Sequence, residues 1–113
     1  MRMWMVDPRI MCRKHLLGEH VECHMFAGTL IKGRSVQGYL DKGLLEERSL
    51  LVRHDQLSKE MAFRGYSHNS PMLDMILRDR GKVDVAWSLK ELLARCKECR
   101  LRWYKMRISR GQS

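Results

Sequence analysis

The chain has 113 residues, 44% hydrophobic and 31% charged, and 22 lysines and arginines against 13 acidic residues give it a net charge of +9. This length suits one domain and is too short for two, and the composition excludes a disordered tail. No apolar run approaches the roughly eighteen residues of a membrane span, and no signal-peptide pattern is present, so we expect an intracellular protein. The charge favours a polyanionic partner such as nucleic acid, the alternative being a basic surface that only confers solubility.

The first predicted helix spans residues 8–30. Asp7 and Pro8 provide its start signal, and apolar residues recur at helical spacing without an internal proline. The side chains expected to face the core are Ile10, Met11, Leu16, Leu17, Val21, Met25 and Phe26. In residues 32–43, glycines separate short apolar pieces, and this pattern predicts an irregular basic connection.

The second predicted helix spans residues 45–64 and is followed by Gly65 as a left-handed C-cap. Its apolar face consists of Leu50, Leu57 and Met61. Residues 64–72 then predict a loop, whereas residues 72–84 fit either a short helical turn or a loop.

A third helix is predicted over residues 85–102, with Ala86, Leu89, Leu93 and Cys96 facing inward. Three helices of these lengths can cover one small core, so the sequence predicts an all-α fold in a single domain, residues 1–113. The tail that follows mixes Trp103 and Tyr104 with cations, which suits a nucleic-acid contact because cations meet phosphates and rings stack on bases. The alternative, which we favour for Trp103, is packing of these rings on the core.

Four cysteines occur in a chain without an export signal, so we expect reduced thiols. Cys96 and Cys99 form a CxxC, which is half of a zinc site, and the other half would have to come from Cys12, Cys23, His20 or His24. We favour a simpler interpretation, in which two small thiols three residues apart share one buried helix face. We therefore predict no metal and no cofactor. Surface or capping roles are expected for His20, His24, His54 and His68.

His15, Glu19 and Glu22 are spaced i, i+4 and i+7, which places them on one stripe of the first helix. A carboxylate in a partly apolar setting can act as an acid or base, although most helical glutamates are only solvated. At the chain terminus, Met1 precedes Arg2. Because removal of an initiator needs a small second residue, we expect Met1 to keep its α-amino group. Such amines titrate well below lysine and can act as imine-forming nucleophiles.

Several short motifs follow one another in a fixed order. They are Arg2 after the first residue, His15 before Leu16, Glu19, Glu22 shortly before Phe26, GRSV at 33–36, RGYS at 64–67 and WYK at 103–105. In this order and spacing the chain resembles the pyrimidine dimer DNA glycosylase family. The resemblance covers most of the chain and implies an all-α fold of three main helices with the N-terminus packed between them.

The resemblance also implies a DNA repair glycosylase with lyase activity at abasic sites. Met1 would attack C1′ of the deoxyribose, expel the damaged base and form an imine, and Glu22 would promote β-elimination. Arg2 and His15 would hold phosphate or sugar near the amine, and we place Glu19 in the same DNA-binding set. No metal or cofactor is implied. We expect a monomer whose partner is double-stranded DNA.

The phosphate contacts are expected to differ from those of the family's best-known member, which has arginines at the positions of Val21 and Met25. The candidate DNA-binding residues are therefore Arg9, Arg13, Lys14, Arg34, Trp103, Tyr104, Lys105 and Arg107. The expected substrate is a cyclobutane pyrimidine dimer. The alternatives are another lesion or modified base, or a basic DNA-binding module without catalysis, stabilised by zinc through Cys96 and Cys99.

Overall fold

The computed structural model describes residues 1–67, 70–72 and 74–111, and within them it contains helices and no strand. The all-α prediction is confirmed. The helices are α1 (Arg13–Ile31), α2 (Gln37–Asp41), α3 (Leu50–Phe63), α4 (Val85–Arg95) and α5 (Lys97–Gly111), with short 3-10 turns at Pro8–Ile10 and Glu47–Ser49. Residues 68, 69 and 73 lie outside the described residues, and with them the prediction made for His68. No described helix has the length and apolar character needed to cross a membrane.

The first predicted helix is divided in the structure. Asp7 caps the 3-10 turn by accepting the Arg9 backbone N–H at 3.0 Å, and extended backbone at Cys12 separates this turn from α1. The predicted core face was wrong at two positions, because Val21 and Met25 are 54% and 50% exposed. The buried face of α1 is instead Leu16, Glu19, His20, Cys23, Phe26 and Ala27. Polar side chains occupy the core stripe since α3 supplies them with partners.

The second predicted helix is largely confirmed as α3. Leu50, Leu57 and Met61 are buried, and Gly65 follows the helix with a φ of 81°. The connection before it was predicted to be irregular, but it contains the short helix α2. Contacts between α1 and α3 are the most extensive of any helix pair in the described part of the chain, so these two helices form the main body of the core.

The third predicted helix is broken at Cys96, whose backbone is extended (φ −123°, ψ 110°). This break separates α4 from α5, so the predicted single helix over residues 85–102 was wrong. The inward face also differs: Ala86 is exposed, and Ser88 and Leu92 are buried. The Ser88 hydroxyl donates to the Trp4 carbonyl oxygen at 2.6 Å, which turns this face of α4 toward the N-terminal segment.

The segment before α4 forms no helix in residues 74–84. Two buried or half-buried carboxylates hold it instead. Glu47 accepts the Arg78 backbone N–H at 2.7 Å and pairs with the Arg80 guanidinium, and Glu46 accepts the Val83 backbone N–H at 3.0 Å. The ambiguity of this region in the sequence is therefore resolved in favour of a loop with its own side-chain anchors.

The N-terminal segment, residues 1–7, is packed between the helices, as predicted. The Met3 backbone N–H donates to the Leu44 carbonyl oxygen at 2.8 Å, and the Val6 carbonyl oxygen accepts from Arg53 of α3 at 2.7 Å. Together with the bond between Ser88 and Trp4, these contacts fix the segment on three sides. The chain terminus therefore has a defined position beside α1.

Candidate active site

A cavity of about 320 Å³ lies beside the chain terminus. It is formed by the N-terminal segment and the first three turns of α1, and its lining residues are Met1, Arg2, Trp4, Lys14, His15, Gly18, Glu19 and Glu22. Six of these were predicted as site residues from the sequence. The fold thus brings the terminal amine and the stripe of α1 into one cavity.

Glu22 is the half-buried carboxylate of this cavity. Its removal from water raises the pKa of the carboxyl above the usual 4.5, and the nearby Glu19 charge acts in the same direction. The Arg2 backbone N–H and the positive chain terminus at Met1 favour the charged form but do not cancel the effect of burial. The carboxylate therefore lies within the electrostatic reach of the α-amine and is more basic than an exposed glutamate.

Glu19 lies beneath the cavity and is only 1% exposed. Its carboxylate accepts from Arg53 Nε at 2.6 Å and from Arg53 Nη2 at 2.9 Å, which makes a bidentate ion pair. The Met5 backbone N–H also points to it, at 3.5 Å. Glu19 was expected among the DNA-binding residues, but its burial and pairing make it a support for the cavity floor.

Arg53 is a residue of this region that the sequence analysis missed. Its guanidinium joins α1 through Glu19, the N-terminal segment through the Val6 carbonyl oxygen, and the Met11 sulfur at 3.5 Å. A signal was present, because the apolar positions of α3 place position 53 on the buried face at helical spacing. A charged residue at such a position requires a buried partner of opposite charge.

Arg2 is oriented by the last third of the chain. Its Nη1 donates to Glu91 Oε2 of α4 at 2.7 Å, and its guanidinium carbon lies 3.6 Å from the centroid of the Trp4 ring. Its buried Nε has no hydrogen-bond partner among the described residues. Arg2 was expected to hold phosphate or sugar, and its contacts in the structure hold the chain terminus in place.

His15 lies at the edge of the cavity, with its ring perpendicular to that of Trp4 and the centroids 5.8 Å apart. Burial lowers the pKa of its imidazole, the Lys14 charge lowers it further, and Glu98 opposes both. Burial therefore favours the neutral form of the ring more than it is favoured in an exposed histidine. Its Nδ1 atom is 3.2 Å from Cys12 Sγ, so only Nε2 is left for a ligand in the cavity.

The other predicted basic residues do not line this cavity. Arg9 pairs with Asp7 at 2.7 Å, and the Arg13 guanidinium stacks 5.1 Å from the Tyr66 centroid. Arg34 borders a separate cavity beyond the C-terminal end of α1. That end of the helix lies roughly 14 Å from Glu22 along the helix axis.

The tail residues form a further group on α5. Arg107 stacks on the half-buried Trp103 ring at 4.8 Å, and Tyr104 is 59% exposed. Lys105 borders a wide cavity of about 700 Å³ that it shares with Arg9. Trp103 packs partly on the core, as favoured from the sequence, while the exposed cations and Tyr104 remain available at the surface.

Three histidines that were expected at the surface or at helix caps lie together instead. His20 and His54 are buried and His24 is half-buried, with ring centroids 4.6 to 5.0 Å apart. His54 Nε2 lies 3.1 Å from His24 Nε2, and His54 Nδ1 lies 3.0 Å from the Asp55 carboxylate. This histidine cluster links α1 to α3 and was missed because its members are distant in sequence.

Residues 1–74 match a family model described as pyrimidine dimer DNA glycosylase. No curated protein and no solved structure matches the chain. The matched segment contains the cavity residues Met1 and Glu22 and the supporting pair of Glu19 and Arg53. It ends before α4 and α5.

Proposed function

The chain belongs to the pyrimidine dimer DNA glycosylase family, and from this premise we propose that it excises a cyclobutane pyrimidine dimer from double-stranded DNA and then cleaves the strand as a lyase. The observation that carries the proposal is the cavity in which the α-amine of Met1 and the carboxylate of Glu22 lie within electrostatic reach of each other. Nucleophile and base are the two groups that imine chemistry needs.

In the first half of the proposed reaction, the unprotonated α-amine of Met1 attacks C1′ of the damaged nucleotide. The bond from C1′ to the base breaks, and its electron pair leaves with the base. A proton then moves from the nitrogen to the ring oxygen as the sugar ring opens. Met1 remains joined to C1′ as a protonated imine, which the negative charge of Glu22 stabilises.

In the second half, Glu22 accepts a proton from C2′. The electron pair forms the C2′–C3′ double bond, the C3′–O bond breaks, and the phosphate leaves with the electrons of that bond. Water then hydrolyses the imine and frees the amine of Met1. The raised pKa of Glu22 supports this role, because a more basic carboxylate is a better proton acceptor near neutral pH.

The substrate must enter from a duplex, so the target nucleotide has to be displaced from the stack. We propose that Lys14 and the Nε2 side of His15 meet its phosphate or sugar at the cavity edge. Arg9, Arg13 and the tail group would contact the duplex outside the cavity, in keeping with the net charge of +9. We further propose that residues 1–113 act as one domain, since α4 holds the terminus that reacts.

The test is borohydride reduction in the presence of a duplex with an abasic site, followed by peptide mapping of the adduct. We expect a covalent complex at the α-nitrogen of Met1 and none after N-terminal acetylation. Lys14→Arg is the matched control, because it removes the other amine of the cavity but keeps the positive charge for the phosphate, and trapping at Met1 should stay intact. An adduct on Lys14, or a protein that binds the duplex without any trapping, would refute the assignment.

A duplex panel then addresses the substrate. Duplexes with a cyclobutane dimer, with other lesions or with modified bases are compared at equal protein concentration. We expect cleavage of the glycosidic bond to be fastest at the dimer, where the cut base stays joined to its neighbour through the cyclobutane ring. Faster glycosidic cleavage at another lesion would keep the proposed chemistry and replace the proposed substrate.

A further inference from the structure

Outside the imine chemistry, four potential metal ligands converge where the start of α1 meets the break between α4 and α5. They are Cys12, His15, Cys96 and Cys99, and one ligand atom from each lies within 4.8 Å of all the others. Cys12 and Cys99 are buried, and His15 and Cys96 are half-buried. All four cysteines of the chain are free thiols. We call this group the cysteine cluster.

The distances inside the cysteine cluster are close to those expected around a tetrahedral metal ion: two of them, 3.7 and 3.8 Å, are near the expected edges, and a third is about 0.3 Å shorter. Cys12 Sγ lies 3.2 Å from His15 Nδ1 and 3.8 Å from Cys96 Sγ, and Cys99 Sγ lies 3.7 Å from His15 Nδ1. With zinc bonds of about 2.3 Å to sulfur and 2.0–2.1 Å to nitrogen, tetrahedral ligand atoms are about 3.5–3.8 Å apart. A disulfide would instead require sulfurs about 2.05 Å apart.

From this geometry we infer that the chain binds one Zn²⁺ ion through Cys12, His15, Cys96 and Cys99. Three thiolates and one imidazole are soft and borderline ligands, a set that selects zinc over magnesium or calcium. Because the protein supplies all four ligands, the site is closed and structural. Its linear pattern is Cys-x-x-His followed, eighty residues later, by Cys-x-x-Cys.

Backbone donors around the sulfurs support this assignment. The Cys12 N–H points to Cys99 Sγ at 3.1 Å, and the Cys99 N–H points to Cys96 Sγ at 3.4 Å. Such donors stabilise the negative charge of metal-bound thiolates and orient them. The extended backbone at Cys96 has a reason in this arrangement, since it allows both cysteines of the CxxC to face the start of α1.

The zinc ion would also connect two regions of the molecule. It ties the residue before α1 to the junction of α4 and α5, and it bonds to His15, which borders the cavity. Coordination through Nδ1 fixes the ring and leaves the opposite Nε2–H as a donor. This consequence for His15 rests on the proposed function, whereas zinc binding itself does not.

The histidine cluster of His20, His24 and His54 is the competing metal site in the described residues, with ligand atoms that also lie within 4.8 Å of one another. It differs in that His54 is already engaged, through Nε2 with His24 and the Ser70 carbonyl oxygen and through Nδ1 with Asp55. It also lacks thiolates. These differences favour the cysteine cluster for zinc.

The experiment measures zinc in the full chain by elemental analysis, and thiolate ligation by the charge-transfer absorption of the cobalt(II)-substituted protein. We expect about one zinc per chain and a cobalt–thiolate band. Cys99→Ser should reduce the zinc content to below about a tenth of this value. His24→Ala is the matched control and should retain both zinc and the band.

A variant that fails to fold would not obscure the answer, because the wild-type chain is also tested with a chelator. We expect the melting temperature to fall when zinc is removed and to recover when it is restored. Absence of zinc from the wild-type chain, or its loss from His24→Ala but not from Cys99→Ser, would overturn the inference. Borohydride trapping of the chelated protein separates the two proposals, since an adduct at Met1 without zinc retains the proposed chemistry.

Discussion

The segment that matches the family model, residues 1–74, and the segment that follows it contribute differently to the candidate active site. The first contains every residue that lines the cavity, together with the ion pair beneath it. No described residue of the second segment lines the cavity, but its Ser88 and Glu91 bind Trp4 and Arg2 and so hold the terminus in place. The proposed reacting groups and two of the contacts that position the chain terminus therefore come from different parts of the chain.

The most direct test of whether the proposed chemistry depends on the first segment is to remove the carboxylate of Glu22. We expect Glu22→Gln to slow strand cleavage by about 10²- to 10⁴-fold with DNA affinity nearly unchanged, because the proton acceptor is lost and no phosphate contact is. Asp79→Asn, which removes an exposed acid of the second segment, is the control and should cleave normally. Single-turnover gel assays measure both, and a slow Asp79→Asn protein would show that the division is wrong.

The supporting ion pair gives the next largest effect. Arg53→Met leaves Glu19 buried without its partner, and we expect a loss of about 3–5 kcal/mol in the free energy of unfolding. Arg95→Met removes a 63% exposed guanidinium 3.6 Å from Glu91 and should cost less than about 1 kcal/mol. Urea denaturation measures both. Equal losses would mean that the pair beneath the cavity has no special importance.

Gly65 in the first segment and Gly81 in the second allow the effect of a backbone substitution to be compared between the two segments. Both have left-handed φ, 76° and 81°, so alanine at either is expected to cost about 1–2 kcal/mol. A Cβ at Gly81 would also lie 2.2 Å from the Leu45 carbonyl oxygen, whereas a Cβ at Gly65 meets nothing within 4 Å. Gly81→Ala should therefore lose about 1–3 kcal/mol more than Gly65→Ala. Similar melting temperatures for the two variants would contradict this close packing of the loop.

A smaller effect is expected at Ser88. Ser88→Ala leaves the Trp4 carbonyl oxygen without its donor, and a loss of about 1–2 kcal/mol should follow. Ser109→Ala alters an exposed hydroxyl of α5 and should change stability by less than about 0.5 kcal/mol. If Ser88 positions the terminus, the rate of borohydride trapping at Met1 should fall as well. Normal trapping in a destabilised Ser88→Ala protein would limit this residue to a structural role.

The smallest expected effect is a difference in pH dependence between Glu22 of the first segment and Glu91 of the second. Glu22 must be ionised to accept a proton, and because burial raises its pKa, β-elimination from the imine already formed should be lost as pH falls through a midpoint above 4.5. The hydrogen bond from Arg2 lowers the pKa of Glu91, so that pair contributes stability above the ordinary glutamate pKa and loses it only at lower pH. Cleavage should therefore fail at a higher pH than the one at which this pair loses its stabilising effect. Parallel profiles of elimination rate and melting temperature that coincide would contradict this order.

Much of the fold was predictable because apolar spacing reports helices directly. The α3 face and the all-α class followed from that spacing. The break at Cys96 was not predictable in the same way, since residues 85–102 keep a helical pattern across it. The break coincides with long-range contacts of Cys96 with Cys12 and of Cys99 with His15, and a local pattern carries no information on such contacts.

At the candidate site, the stripe of His15, Glu19 and Glu22 was predictable from spacing, but the surroundings of each residue were not. Spacing gives three residues on one side of a helix and does not say which of them faces another helix. Glu19 meets Arg53 and becomes buried, while Glu22, one turn further, borders the cavity. The exposure of Val21 and Met25 was unpredictable for the same reason. The face of α1 that meets α3 carries polar residues, so these two apolar side chains lie on the opposite, exposed side.

The contacts of Arg2 and Trp4 have a consequence for the time at which the site forms. Residues 1–4 emerge from the ribosome long before Ser88 and Glu91, which bind them in the finished fold. During synthesis the nascent terminus is therefore without these two anchors until α4 has also been translated. The terminal amine therefore acquires its final position only after α4 has been translated, and a chain truncated before α4 would lack these two anchors of the candidate site.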